Sequence, residues 1–158
     1  MGKKIGYMLS FLAGAGLAGI CLLKLQQGSI DRWKGLAEKN RGLFLLMDQW
    51  VRVRQDGRKL EEYFIRNSYK RIAVYGMGYV GRRLVEELKD SEIETVYGID
   101  RNAANIYSEI KVVTMDEELA NVDVVVVTLV DDFDQVSDLL SKELRCPVIA
   151  IEDIVNEI

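Results

Sequence analysis

Residues Arg71 to Arg101 read RIAVYGMGYVGRRLVEELKDSEIETVYGIDR, and the order of the parts in this stretch decides the fold. A β-rich apolar run, Ile72 to Tyr75, passes into the glycine turn Gly76-Met77-Gly78-Tyr79-Val80-Gly81. A helical pattern follows, then a second apolar run, Thr95 to Ile99, closed by Asp100. Gly76 would allow a tight turn off the strand, Gly78 a close approach of backbone to a pyrophosphate, and Gly81 close packing of the helix on the sheet. The helix aims its free N–H groups and positive dipole end at the same place. Asp100 lies 19 residues past Gly81, where a carboxylate can accept from a ribose diol. Strand, glycine turn, helix, strand and acid in this order imply a dinucleotide-binding βαβ unit.

Downstream the pattern keeps alternating. A polar loop, 101–108, leads to a weak strand at Lys111 to Thr114, and Met115 to Leu119 reads as a helical turn. Asp123 to Val130, with four consecutive valines, has the continuous apolar character of a central parallel strand covered on both faces. Phe133, Val136, Leu139, Leu140 and Leu144 recur at helical spacing, Pro147 opens a last strand, and Glu152 to Ile158 closes with a helical turn. The expectation is a parallel sheet of about five strands joined by right-handed crossovers.

Upstream, Ile5 to Leu23 is a run of 19 residues without a charge, bracketed by Lys3-Lys4 and Lys24. At ~1.5 Å per residue it reaches about 28 Å, close to the ~30 Å hydrocarbon thickness of a bilayer. The residues after it do not supply a cleavage site, so it reads as a retained membrane anchor. The larger Lys/Arg cluster follows the span, which puts the remainder of the chain in the cytoplasm. Ser10, Gly14 and Ala18 recur every four positions, a spacing that lets two membrane helices approach. Ser29 to Arg54 reads as a helix entered through Ser29 or Asp31, with Trp33, Leu36, Ala37, Leu43, Phe44, Met47, Trp50 and Val51 as its apolar face. That face suits a headgroup-level helix, the folded domain, or a twin chain. Lys59 to Arg66 forms a shorter helix with Leu60, Tyr63 and Phe64 inward.

Charge is divided. Residues 1–70 carry 13 Lys/Arg against 6 Asp/Glu, and residues 71–158 carry 8 against 19. An acidic domain without a basic stripe argues against nucleic acid, and a basic half beside an apolar span points to anionic lipid. Two separated cysteines, Cys21 and Cys146, make no disulfide framework and fit a reducing compartment. There is no histidine in the chain, which removes every Ser-His or Cys-His arrangement.

The residues delivered to the carboxyl ends of the strands are Gly76 to Gly81, Asp100, Arg101 and Thr128. Asp100 favours a free 2′-hydroxyl, hence NAD or a nucleoside sugar, while Arg101 could meet a 2′-phosphate. Thr128 either bonds a ribose or nicotinamide group or merely ends its strand. Tyr107 and Lys111 have the spacing of a dehydrogenase proton-transfer pair but sit in the wrong crossover, so they read as coincidence. Asp131, Asp132 and Asp134 read as solvated acids at a helix start.

From about Tyr69 onward the chain resembles NAD(P)-binding Rossmann-type modules, on the strength of IAVYGMGYVG, YGIDRNA and VDVVVVT. It is most similar to the small nucleotide- or sugar-nucleotide-binding domains attached to bacterial surface-polysaccharide enzymes, which share the strand end Gly98-Ile99-Asp100-Arg101-Asn102. Domains that regulate potassium channels and transporters also look similar. The resemblance implies Gly76, Gly78, Gly81 and Asp100 as ligand residues, with Met77, Tyr79, Val80, Arg101 and Thr128 beside them, and NAD or a UDP-sugar as ligand. The expected organisation is α/β: an anchor over 1–28, amphipathic helices over 29–68, and a small Rossmann-like domain over 69–158. The expected role is that of a membrane-tethered accessory or regulatory module in cell-envelope polysaccharide synthesis, working as a homodimer or with a partner enzyme. The alternatives are an oxidoreductase or sugar-nucleotide epimerase or dehydratase whose catalytic part lies elsewhere, and a scaffold that binds nothing. With no acid–base pair or substrate domain in view, the expectation leans away from an enzyme.

Overall fold

A computed structural model of the chain describes residues 28, 30–130 and 132–158; for residues 2–27 and 29 it gives the helical backbone alone. The membrane span expected at Ile5 to Leu23 lies outside the described residues. Among those described, no helix is long and apolar enough to cross a membrane. The chain divides into two compact units, Met1–Arg41 and Gly42–Ile158. The described side chains of the first belong to helix α1 (Gly2–Gln55) and are all exposed. The helix runs through Ser29 and Asp31, so neither starts it.

The second unit is α/β. After α2 (Glu61–Arg66) come β1 (Arg71–Tyr75), α3 (Tyr79–Leu88), β2 (Glu94–Ile99), β3 (Val112–Val113), β4 (Val124–Val127), α4 (Phe133–Glu143), β5 (Val148–Ala150) and α5 (Ile151–Glu157). The five strands are parallel, in the order β3-β2-β1-β4-β5. The chain therefore starts centrally, builds outward through α3, and returns to the other side of β1. The direction switches between β1 and β4, and ligands of such sheets sit outside the carboxyl ends at that point.

Alternation along the strands serves two cores. Ile72, Val74, Val124 and Val126 pack with α1, α2, α3 and α5; Ala73, Tyr75, Val125 and Val127 pack with Val136 and Leu140 of α4. All four valines of β4 are fully buried, each contributing on the order of 1.5–3 kcal/mol by leaving water. The compact unit begins at Gly42, inside the stretch read as linker. Leu46, Trp50 and Val53 of α1 and Leu60 and Phe64 at α2 are core residues. Trp50 Nε1 donates to Glu87 Oε2 of α3 at 2.6 Å, and the Leu60 N–H donates to the other oxygen at 3.1 Å.

Several local expectations need correction. The buried face of α1 is Leu46, Trp50 and Val53, whereas Phe44 and Val51 are exposed. Apolar residues fill 43–47 without a break, so periodicity could not choose the face, and docking on the sheet chose it. Strand β4 stops at Val127, three residues early, because Thr128 turns its hydroxyl onto the neighbouring turn. Met115 to Leu119 is a non-helical turn in which the Glu117 carboxylate accepts from the Thr114 N–H at 3.0 Å. Leu139 is half-exposed on α4.

At the amino ends of the strands, Asp123 Oδ2 accepts from the Lys70 and Arg71 N–H groups, both at 2.8 Å. These two backbone donors hold its carboxyl below the ordinary value of 3.8. The unfolded chain then binds the proton more readily, so the contribution is complete above that value and is lost as pH falls through the lower folded one. Asp123→Asn should lower stability at neutral pH by less than about 1 kcal/mol, because solvent screens this exposed carboxylate, and the difference from the parent should shrink below about pH 4. Urea titrations of both proteins at pH 7 and pH 3 would check this, and a difference that is constant with pH would refute it.

Candidate functional site

The sheet register brings the site together. Tyr75 pairs with Ile99 on one side and Val127 on the other. The next residue of each strand is therefore level at the carboxyl edge: Gly76, Asp100 and Thr128.

Gly76 leaves β1 with φ +93°, a left-handed conformation that glycine adopts without strain. A Cβ there would also meet Thr128 Oγ1 at 2.9 Å and Leu129 Cδ2 at 3.0 Å. The Gly76 N–H donates to the Ile99 carbonyl at 2.8 Å, which ties the turn to β2. Gly78 is the extended residue that precedes α3 (φ −74°). Nothing lies within 4 Å of the position its Cβ would take. Gly81 is the opposite case, since its Cβ would lie 2.2 Å from the Gly76 carbonyl oxygen. The first turn of α3 is thus pressed onto the glycine turn, and its N–H groups, without a side-chain cap, face the same edge.

Asp100 is built into this turn. Its Oδ2 accepts from the Met77 N–H at 2.9 Å and its Oδ1 from the Asn102 N–H at 2.9 Å. A carboxylate offers about four acceptor positions, so both oxygens keep capacity for a ribose diol. The side chain of Met77 is core, packed so close to Gly98 that a Cβ there would lie 2.6 Å from its sulfur. Val80 is buried as well; what these two residues present to the edge is backbone. Tyr79 is exposed, and the Arg82 guanidinium carbon lies 5.5 Å from its ring centroid. Thr128 is buried, with its hydroxyl 2.5 Å from the Gly76 carbonyl and 3.1 Å from that of Tyr75. Its hydroxyl serves the turn, which favours a structural part for it over direct ligand contact. Arg101 is exposed and lines a cleft of about 500 Å³ with Tyr75, Asp132, Gln135, Val136 and Leu139.

Arg82 is the residue that sequence reasoning missed. Its Nε donates to the Gly78 carbonyl at 3.2 Å, which sets a cation beside the amino end of α3. A basic residue one turn after the central glycine was the available signal. Cys146 is a free thiol, and burial first, then the Asp123 charge, pushes it up, the wrong direction for a nucleophile. Among the described residues no group of three or more His, Cys, Asp or Glu side chains could hold a metal. Asp131 lies outside them.

A five-stranded parallel sheet with this glycine turn, helix start and acid at its switch point defines an NAD(P)-binding Rossmann-type domain. A family model agrees: D-isomer specific 2-hydroxyacid dehydrogenase, NAD binding domain, matches residues 41–143. The chain belongs to that family, and NAD is its cofactor. The match begins one residue before the compact unit does. No curated protein matches the chain, and no solved structure does. The residues fit the cofactor: open space before Gly78 for a pyrophosphate, and an anchored carboxylate on Asp100 for a ribose.

Proposed function

We propose that the chain is a membrane-tethered NAD-binding module that acts as an accessory or regulatory subunit. The observation that carries this reading is the edge itself, where Gly78, the start of α3 and Asp100 converge with no proton-transfer pair beside them among the described residues. The 158 residues contain no histidine, and burial pushes the one free thiol described, Cys146, upward. Gly78 and the first N–H groups of α3 would hold the pyrophosphate, Arg82 would add charge, and Asp100 would take the ribose diol. The uncharged run Ile5 to Leu23 supports the tether, and the Lys/Arg excess that follows it supports a cytoplasmic domain. Likeness of the Gly98–Asn102 strand end to domains of surface-polysaccharide enzymes supports a place beside such an enzyme, with a second copy or that enzyme as partner.

A second reading has its own support. The family is one of dehydrogenases, so the module could serve an oxidoreductase whose catalytic groups lie on another polypeptide or domain. One set of measurements separates the readings. Thermal unfolding of the full chain should shift upward with NAD or NADH, by about 2.7 kcal/mol of added stability at ~100 times the dissociation constant. NADP should shift it less, because a 2′-phosphate meets Asp100. No shift with any dinucleotide or UDP-sugar would leave only a scaffold. Turnover of NADH with a 2-oxo acid by the purified chain alone would reject the accessory role. Release of the chain from carbonate-washed membranes would reject the tether.

A further inference from the structure

Helix α1 meets the segment that follows β4 at Gly42. Gly42 sits in the interior of α1, where alanine is the better helix former. A Cβ at Gly42 would lie 2.8 Å from Val130 Cγ1, so the missing side chain is what lets Val130 seat against the helix. Val130 ends the short segment that begins with Thr128, whose hydroxyl lies 2.5 Å from the Gly76 carbonyl. Between them, Leu129 Cδ2 lies 3.0 Å from where a Gly76 Cβ would be. Valine is β-branched and stiff, and Val130, half-buried, packs against the core beside the helix. Displacing it displaces the segment, and the segment carries the brace of the glycine turn.

We infer that Gly42 is a positioning residue for the dinucleotide: acting through Val130 and Thr128, it sets the seating of the Gly76–Gly81 turn, so cofactor affinity depends on the contact of α1 with the segment after β4. This rests on the NAD-binding reading. The experiment is a thermodynamic cycle on the full chain with NADH as probe, using the parent, Gly42→Ala, Val130→Ala and the double variant. Gly42→Ala should bind NADH at least threefold more weakly while melting no lower than the parent. The double variant, in which the added methyl has room, should bind within threefold of Val130→Ala. In the parent, NADH should also slow amide exchange in residues 43–53, a readout that needs no variant. A Gly42→Ala protein that binds within threefold of the parent overturns the inference. So does an affinity loss that the double variant does not recover, or unchanged exchange in residues 43–53. A parent that fails to bind NADH removes the NAD-binding reading and this inference together, whereas a parent that binds beside an indifferent Gly42→Ala removes only the inference.

Discussion

Gly81→Ala is expected to destabilise the Gly42–Ile158 unit by about 3 kcal/mol, near the upper end of what overpacking costs. The added methyl would lie 2.2 Å from the Gly76 carbonyl oxygen and 3.2 Å from its carbon. Both are backbone atoms, and that backbone is held by Thr128 and by the bond from the Gly76 N–H to Ile99. Relief therefore requires α3 to move off the turn, which loosens Leu84 and Leu88 in the core. Alanine is favoured over glycine in a helix by about 1 kcal/mol, so the clash has to outweigh that gain, and at this distance it does. For a unit of this size the melting temperature should fall by roughly 10 °C. Calorimetry of parent and variant checks this; equal melting temperatures would mean that α3 does not sit on the turn as described.

Gly78→Val is expected to do the reverse. No atom lies within 4 Å of the new Cβ, and φ of −74° suits any residue. Stability should fall by no more than about 1 kcal/mol, because Gly78 caps α3 and valine is a poorer cap than glycine. The branched side chain would stand in front of the first N–H groups of α3, where the pyrophosphate has to sit. NADH affinity should fall at least ~100-fold, equivalent to about 2.7 kcal/mol. Titration of NADH into the folded variant measures it, and parental affinity would show that the turn is architecture only. Three residues apart in one motif, Gly78 leaves open space where a ligand would sit, and Gly81 serves the packing.

That division was partly legible in the sequence. The glycine spacing, the βαβ order and the four-valine strand are local signals, and each produced the element expected of it. Asp100 was legible too, because its place depends only on the length of one crossover. What the sequence concealed is contact between residues far apart along the chain. The Met77 N–H is taken by Asp100, the Thr128 hydroxyl by Gly76, and Gly42 by Val130. No periodicity encodes such pairs. The buried face of α1 was hidden for a different reason: an apolar run from Leu43 to Met47 satisfies every helical phase, and only the sheet selects one.

The indole of Trp50 gives the molecule a gauge of its own. Of the chain's two tryptophans, Trp33 is 71% exposed and Trp50 only 4%. Trp33 therefore emits from the exposed face of α1, while Trp50 emits from an apolar wall with its N–H on the Glu87 carboxylate. Glu87 belongs to the helix whose other end faces the cofactor edge. Light from Trp50 thus reads the seating of α1 on α3 without any label, and Trp33→Phe would leave that signal alone in the spectrum.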